Sequence, residues 1–276
     1  MSHRAIGLCL AMFAHGTISE SAAASPCDDA LQDLRPGERS PIRIAALDAA
    51  DFGAAAEACG RTSLALESRA SLLDASDEFY GQIYLNTSLR GTLALSKRVW
   101  LSLLVPGLEY RFVANATIDT SVLSLGGGAG GIHVSLVEWE RSALAVYGRI
   151  LIPSETIFQQ ATRLGVEPGL SFLHAMHPMF TLHANLALSS LSTFQAGQAR
   201  PFFSPSLSGD LAFRPVRALS VAAGINARFS DAFDARMQLG LYPAGQLAIA
   251  LSLALPLVGR DRTDAVAGVS IGWDRF

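Results

Sequence analysis

Between Leu247 and Leu257 every second residue is a bulky aliphatic. Leu247, Ile249, Leu251, Leu253, Leu255 and Leu257 share one parity, and Ala248, Ala250, Ser252 and Ala254 share the other. Successive side chains of a strand point to opposite faces, so the segment reads as a strand with one unbroken aliphatic face. A helix, with its period of about 3.6 residues, would scatter the same leucines around its surface. The pattern recurs along most of the chain. Leu219, Val221, Ala223, Ile225 and Phe229 alternate with Ser220, Gly224, Asn226 and Arg228, and Phe203, Leu207, Leu211 and Phe213 with Ser204, Ser206, Ser208 and Asp210. Leu164, Val166, Leu170 and Phe172 oppose Arg163, Glu167 and Ser171, while Phe180, Leu182, Leu186 and Leu188 oppose Thr181, His183, Asn185 and Ser189.

Strands of this kind bury their aliphatic faces either against one another or in lipid, and composition discriminates between the two. Hydrophobic residues make up 50% of the chain and charged residues 16%, with a mean hydropathy of +0.32. A soluble globular domain carries about 25% charged residues. The longest clean apolar run, Leu247 to Val258, is interrupted by Pro256 and falls short of the roughly 18 residues that a spanning helix requires. A closed barrel is the other structure that satisfies every backbone group in lipid. The rival is a soluble sandwich or barrel, which would turn the leucines inward and leave Ala248, Ala250 and Ala254 facing water. The expected fold is therefore all-β: a transmembrane antiparallel up-and-down β-barrel of about 12 strands.

Strands are expected near 62–73, 79–95, 98–113, 119–137, 142–152, 163–174, 179–191, 203–213, 218–230, 233–242, 246–257 and 264–275. An even count brings both ends of the barrel to the periplasmic side. Short periplasmic turns then fall at 96–98, 138–141, 174–178, 214–217 and 243–246, and outer segments at 74–78, 114–118, 153–162, 192–202 and 258–263. Trp100, Trp139, Phe172, Phe180, Phe213, Tyr242 and Trp273 lie beside the turns, where an interfacial aromatic girdle belongs. Pro106-Gly107 coincides with a change of phase, from Leu101, Leu103 and Val105 to Leu108, Tyr110 and Phe112, which a β-bulge explains. Pro168 and Pro205 fall within strands, near the expected outer rim.

Residues 1–24 read as a signal peptide: His3 and Arg4 open it, Ala5 to Ala14 is apolar, and Ala22-Ala23-Ala24 offers a small-residue cleavage site. Residues 25–60 form a periplasmic N-terminal segment, alanine-rich and helical in tendency from Ile44 to Cys59, which could plug the barrel. Removal of the leader leaves Cys27 and Cys59, and two cysteines in an oxidising periplasm favour a disulfide. The barrel itself occupies 61–276.

The C-terminal residue is Phe276, and a terminal phenylalanine closing a strand resembles the assembly signal of bacterial outer-membrane barrels. A wider similarity rests on the glycine run Gly126 to Gly131 leading into Ile132-His133-Val134-Ser135-Leu136, and on Ile150-Leu151-Ile152-Pro153-Ser154. These stretches look like transporter-type barrels of the phenol meta-cleavage pathway group. The resemblance implies a Gram-negative outer-membrane location and a role in solute transport.

With the leucines toward lipid, the other faces line the lumen. That places Glu67, Arg69, Arg90, Glu109, Arg111, His133, Arg149, Arg163, Glu167, His183, Asp210, Arg228, Asp234 and Arg236 inside. Such a face could form a polar, slightly basic conduit for small polar or anionic solutes. It could equally be a network of paired charges that fills and stiffens the barrel. The glycine run satisfies Gly-x-Gly-x-x-Gly, but a strand follows where a dinucleotide site needs a helix, so no cofactor is expected. No metal ligand set is expected either, given the wide spacing of the cysteines. A formal charge of -3 gives no reason to expect nucleic acid as a partner. The expected partners are outer-membrane lipids and lipopolysaccharide, the barrel-assembly machinery and small solutes. The expected function is passive solute transport without catalysis. The alternatives are a structural or surface barrel and a lipid-modifying hydrolase, for which His174 and His177 lie in a turn without an evident serine partner.

Overall fold

The computed structural model describes residues 62–75, 80–96, 98–114, 119–139, 141–152, 162–177, 179–195, 198–216, 219–228, 232–244, 247–259 and 265–274. The expected leader, the 25–60 segment, the Cys27–Cys59 disulfide and Phe276 lie outside the described residues.

All described regular structure is strand: β1 (Ser63–Ala75), β2 (Tyr80–Ala94), β3 (Val99–Ala114), β4 (Asp119–Leu125), β5 (Gly128–Trp139), β6 (Ser142–Ile152), β7 (Thr162–His177), β8 (Phe180–Gln195), β9 (Gln198–Val216), β10 (Leu219–Arg228), β11 (Ala232–Ala244), β12 (Leu247–Gly259) and β13 (Ala265–Asp274). Apart from β4 and β5, strands adjacent in sequence pair antiparallel, and the first and last strands zip together from Ser63↔Asp274 to Leu72↔Ala265. The β2–β3 pairing closes the ring. β4 and β5 occupy one lane, β4 beside the second half of β3 and β5 beside its first half. The fold is thus a closed antiparallel barrel of 12 strands, as the alternation requires.

The single strand expected over 119–137 is broken at Gly126-Gly127, and the break lies against the bulge expected at Pro106-Gly107. Register slips there from Asn86↔Glu109 to Ser88↔Pro106, so Thr87 alone faces two residues of β3. The Leu108 amide donates to Thr87 Oγ1 at 3.0 Å, and Thr87 Oγ1 donates to the Leu108 carbonyl at 3.2 Å. The Gly126 amide closes the gap by donating to the Gly107 carbonyl at 2.9 Å. A Cβ on Gly107 would stand 2.5 Å from the Thr87 carbonyl oxygen, so only glycine fits at this crossing.

One other segment departs from expectation. Residues 192–202, read as an outer connection, continue the β8–β9 hairpin through Ser192↔Pro201 to Gln195↔Gln198. Their polar composition hides them from a search for aliphatic faces. Around Pro168 the β7–β8 ladder skips from Val166↔Ser190 to Gly169↔Ala187 with its register intact, because proline has no amide to donate.

Candidate functional site

Leu66 is 52% exposed and the next residue, Glu67, is 2% exposed. That inversion repeats around the ring. Leu164, Val166, Leu186, Leu188, Leu207, Leu211, Ile225 and Leu251 to Leu257 on odd positions are exposed, whereas Glu109, His133, Glu167, His183, Arg236 and Gln238 are buried. A soluble barrel would show the opposite, so the aliphatic belt is the outer surface and the polar face is the interior. Of the expected lining residues, Glu67, Glu109, His133, Glu167, His183 and Arg236 are buried inside, and Arg69, Arg90, Arg149, Asp210 and Asp234 are half-buried. Arg111, Arg163 and Arg228 are placed by backbone register alone, opposite Tyr84, Thr193 and Ser206 respectively.

The interior charges are gathered into clusters. Glu67 lies 3.1 Å from Arg69 and 3.4 Å from Arg90, on its own strand and on β2. Arg149 and Glu167 are direct cross-strand partners of β6 and β7. Arg149 Nε donates to Glu167 at 3.0 Å, and Ser189 Oγ donates to the other carboxylate oxygen at 2.6 Å. Arg236 on β11 pairs with Asp210 on β9, reaching over β10. The β10 residue in that row is Gly224, where a Cβ would fall 2.1 Å from Asp210 Oδ1.

Glycines form the floor beneath other large inward side chains as well. A Cβ on Gly131 would meet Arg149 Cγ at 2.6 Å, and one on Gly169 would meet Tyr147 Cζ at 2.2 Å. Glycines on the polar parity of a strand were the sequence signal for these sites, because each lies opposite a residue that leans across the neighbouring strand. Trp100, His133 and Tyr147 follow one row of register across β3, β5 and β6. Their rings stack, with centroids 5.4 Å and 5.3 Å apart. The Arg149 guanidinium sits 5.1 Å from the Tyr147 centroid, and His133 Nε2 is hydrogen-bonded to Ser102 at 2.7 Å. Trp100 is therefore not part of a lipid-facing girdle, as its position beside a turn suggested. It is fully buried and shares the inward parity of Ser102. Trp139 and Phe213, by contrast, are exposed beside their turns, and Phe213 stacks on Phe180 at 4.7 Å.

Two histidines have serine partners that sequence reading missed. Ser142 Oγ lies 2.7 Å from His174 Nδ1, and Ser171 Oγ lies 3.1 Å from His183 Nε2, with His183 Nδ1 a further 4.0 Å from Asp210. The order serine, histidine, aspartate is that of a hydrolytic triad. Ser171 is fully buried, however, and Asp210 is engaged by Arg236, so a lipid ester has no path to this hydroxyl.

A closed, even-stranded antiparallel barrel with an aliphatic outer surface and an ionic interior satisfies the demands of a bilayer with no open edge. The chain is an outer-membrane β-barrel and is located in that membrane. No protein-family model and no curated protein sequence matches it. Its fold is similar to that of an outer membrane channel from Pseudomonas putida F1 (11% identity, 88% of this chain and 100% of that one, TM-score 0.60). It is also similar to the translocator domain of the autotransporter NalP from Neisseria meningitidis (9% identity, 85% and 93% covered, TM-score 0.54). A third similar structure is the KdgM porin (8% identity, 78% and 99% covered, TM-score 0.50).

Proposed function

We propose that this barrel is a passive channel for small polar or anionic solutes. The observation that carries the reading is the inward placement of the Glu67, Arg149–Glu167 and Asp210–Arg236 clusters. A lumen lined by fixed ion pairs offers a permeating solute the hydrogen bonds that it gives up on leaving water. The similarity of fold to a channel and to a porin supports this reading, as does the resemblance to transporter-type barrels. Residues 25–60, tied by the Cys27–Cys59 disulfide, are the proposed plug, and Phe276 the proposed signal to the assembly machinery. Lipids and lipopolysaccharide are the proposed partners of the aliphatic belt.

A second reading is a structural barrel without transport. The Trp100–His133–Tyr147 stack favours it, because three rings and the Arg149 guanidinium occupy the interior beside β3, β5 and β6. Single-channel conductance of the refolded chain in a planar bilayer separates the two. Steady ion flow, increasing when residues 25–60 are deleted, is the expected result. Silence with and without those residues would refute the channel and leave the structural barrel.

A further inference from the structure

The turn between β7 and β8, at the expected periplasmic end, reads His174-Ala175-Met176-His177-Pro178-Met179 and holds two of the five methionines and two of the six histidines of the chain. Ser171 and Leu173 are buried inside the barrel, so His174 and Met176 lie on the outward face of β7. Two such positions are about 7 Å apart along a strand, close enough for two long side chains to meet at one ion. Register then slips from Ala175↔Thr181 to His177↔Phe180. The extra residue, Met176, shares the partner Phe180 with His177, and a bulge of this kind turns both side chains toward one face. The His177 ring lies 6.3 Å from that of Phe180, on that face. Met176 is 43% exposed and Met179 40% exposed, so both thioether side chains are open to the surroundings.

We propose that this turn is a binding site for a soft monovalent metal ion of the Cu(I) class, held by the sulfurs of Met176 and Met179 and by His174 Nε2. Hydrogen bonds to the rings assign the roles. Ser142 Oγ lies 2.7 Å from His174 Nδ1, where it can accept the Nδ1–H and leave the Nε2 lone pair for a metal. The Phe172 ring stacks on His174 at 6.3 Å and holds it in that orientation. His177 Nδ1 accepts the Met179 amide at 3.2 Å, so His177 is a positioning residue that keeps Met179 in the turn. The surrounding charges select the kind of ion. Among the described residues no group of three or more His, Cys, Asp or Glu could hold a metal, so a hard divalent cation lacks a ligand set here. Arg141 is exposed nearby, its carbonyl accepting the Ala175 amide at 2.8 Å, and Arg214 follows the Phe213 that pairs with Phe180. In the neighbouring turn Glu138 is bonded to Ser135, and Glu140 lies outside the described residues. An ion beside arginines is held by donation from neutral sulfur and nitrogen rather than by charge, and thioether ligands select Cu(I) among the metals. The proposal stands independently of the channel reading.

The test uses the full chain in detergent micelles, labelled with carbon-13 at the methionine methyls and with the thiols of Cys9, Cys27 and Cys59 blocked by N-ethylmaleimide. Silver(I) is the probe, since it shares the softness and charge of Cu(I) and does not change oxidation state. Titration is expected to shift the methyl signals of Met176 and Met179, while Met1, Met12 and Met237 stay in place. Met237 is itself exposed on the outer surface, so it controls for adventitious binding to any accessible thioether. Met176→Leu, Met179→Leu and His174→Gln are each expected to weaken silver binding by roughly 100-fold. Ser142→Ala, which only frees the orientation of His174, is expected to cost roughly tenfold and to keep both methyl shifts at saturation. Leucine conserves the volume of methionine, and the methyl shifts of the unaltered protein decide the matter if a variant does not fold. Equal shifts at Met237, no shift at Met176 and Met179, or unchanged affinity in the three ligand variants would overturn the site. The same shifts produced by zinc at equal concentration would overturn its assignment to a soft ion.

Discussion

An arginine placed on the outer face reports how deep that position lies in the bilayer, and β12 provides two positions on one face for comparison. Each residue of a strand rises about 3.3 Å, and a tilt of about 40° leaves about 2.5 Å along the membrane normal. Leu247 opens β12 next to a turn and pairs with Trp273, which sets the near edge of the apolar band. Leu251 then lies about 10 Å into the band and Leu257 about 25 Å, against a band about 25 Å tall. Both are outward, at 45% and 51% exposure. Leu251→Arg is therefore expected to destabilise the barrel by about 2–4 kcal/mol and Leu257→Arg by about 0–1 kcal/mol. The assay is reversible urea unfolding in lipid vesicles followed by tryptophan fluorescence, with unfolding slopes required to match the parent. Equal losses at the two positions would refute the depth assignment. A smaller loss at Leu251 than at Leu257 would refute the lipid-facing orientation of the leucine face altogether.

Two further outcomes follow from the interior. Glu167→Gln leaves the Arg149 guanidinium without its carboxylate, and is expected to cost about 3 kcal/mol, with most of the loss recovered in the double variant Arg149→Met, Glu167→Leu; strictly additive losses in a double-mutant cycle would refute the pairing. Gly169→Ala forces the Tyr147 ring from its floor and is expected to cost about 1–3 kcal/mol. That loss should largely vanish in a Tyr147→Ala background, as read by the heat-induced shift in gel mobility.

Strand existence was legible in the sequence because lipid imposes a strict parity. The strand expected over 142–152 coincides with β6, and those near 246–257 and 264–275 match β12 and β13 closely. The same parity was enough to put Glu67, His133 and His183 inside. It also marked Trp100 as inward, a signal outweighed there by proximity to a turn. The strand extensions over 192–202 escaped notice because Ser192, Thr193 and Gln195 carry no aliphatic face to betray them.

Which way each side chain faces was thus determined by the sequence alone, through a period of two that depends only on backbone geometry. Who meets whom was decided by the tertiary structure. The Arg149–Glu167 pair depends on the register of β6 against β7, set across a connection whose length the alternation does not constrain. The Asp210–Arg236 pair skips a strand and exists only because Gly224 leaves room between them. The Asn185–Ser208–Asn226 row likewise joins three residues that are ordinary in their own strands. Their common burial, at 1–3% exposure, arises only when β8, β9 and β10 come into register.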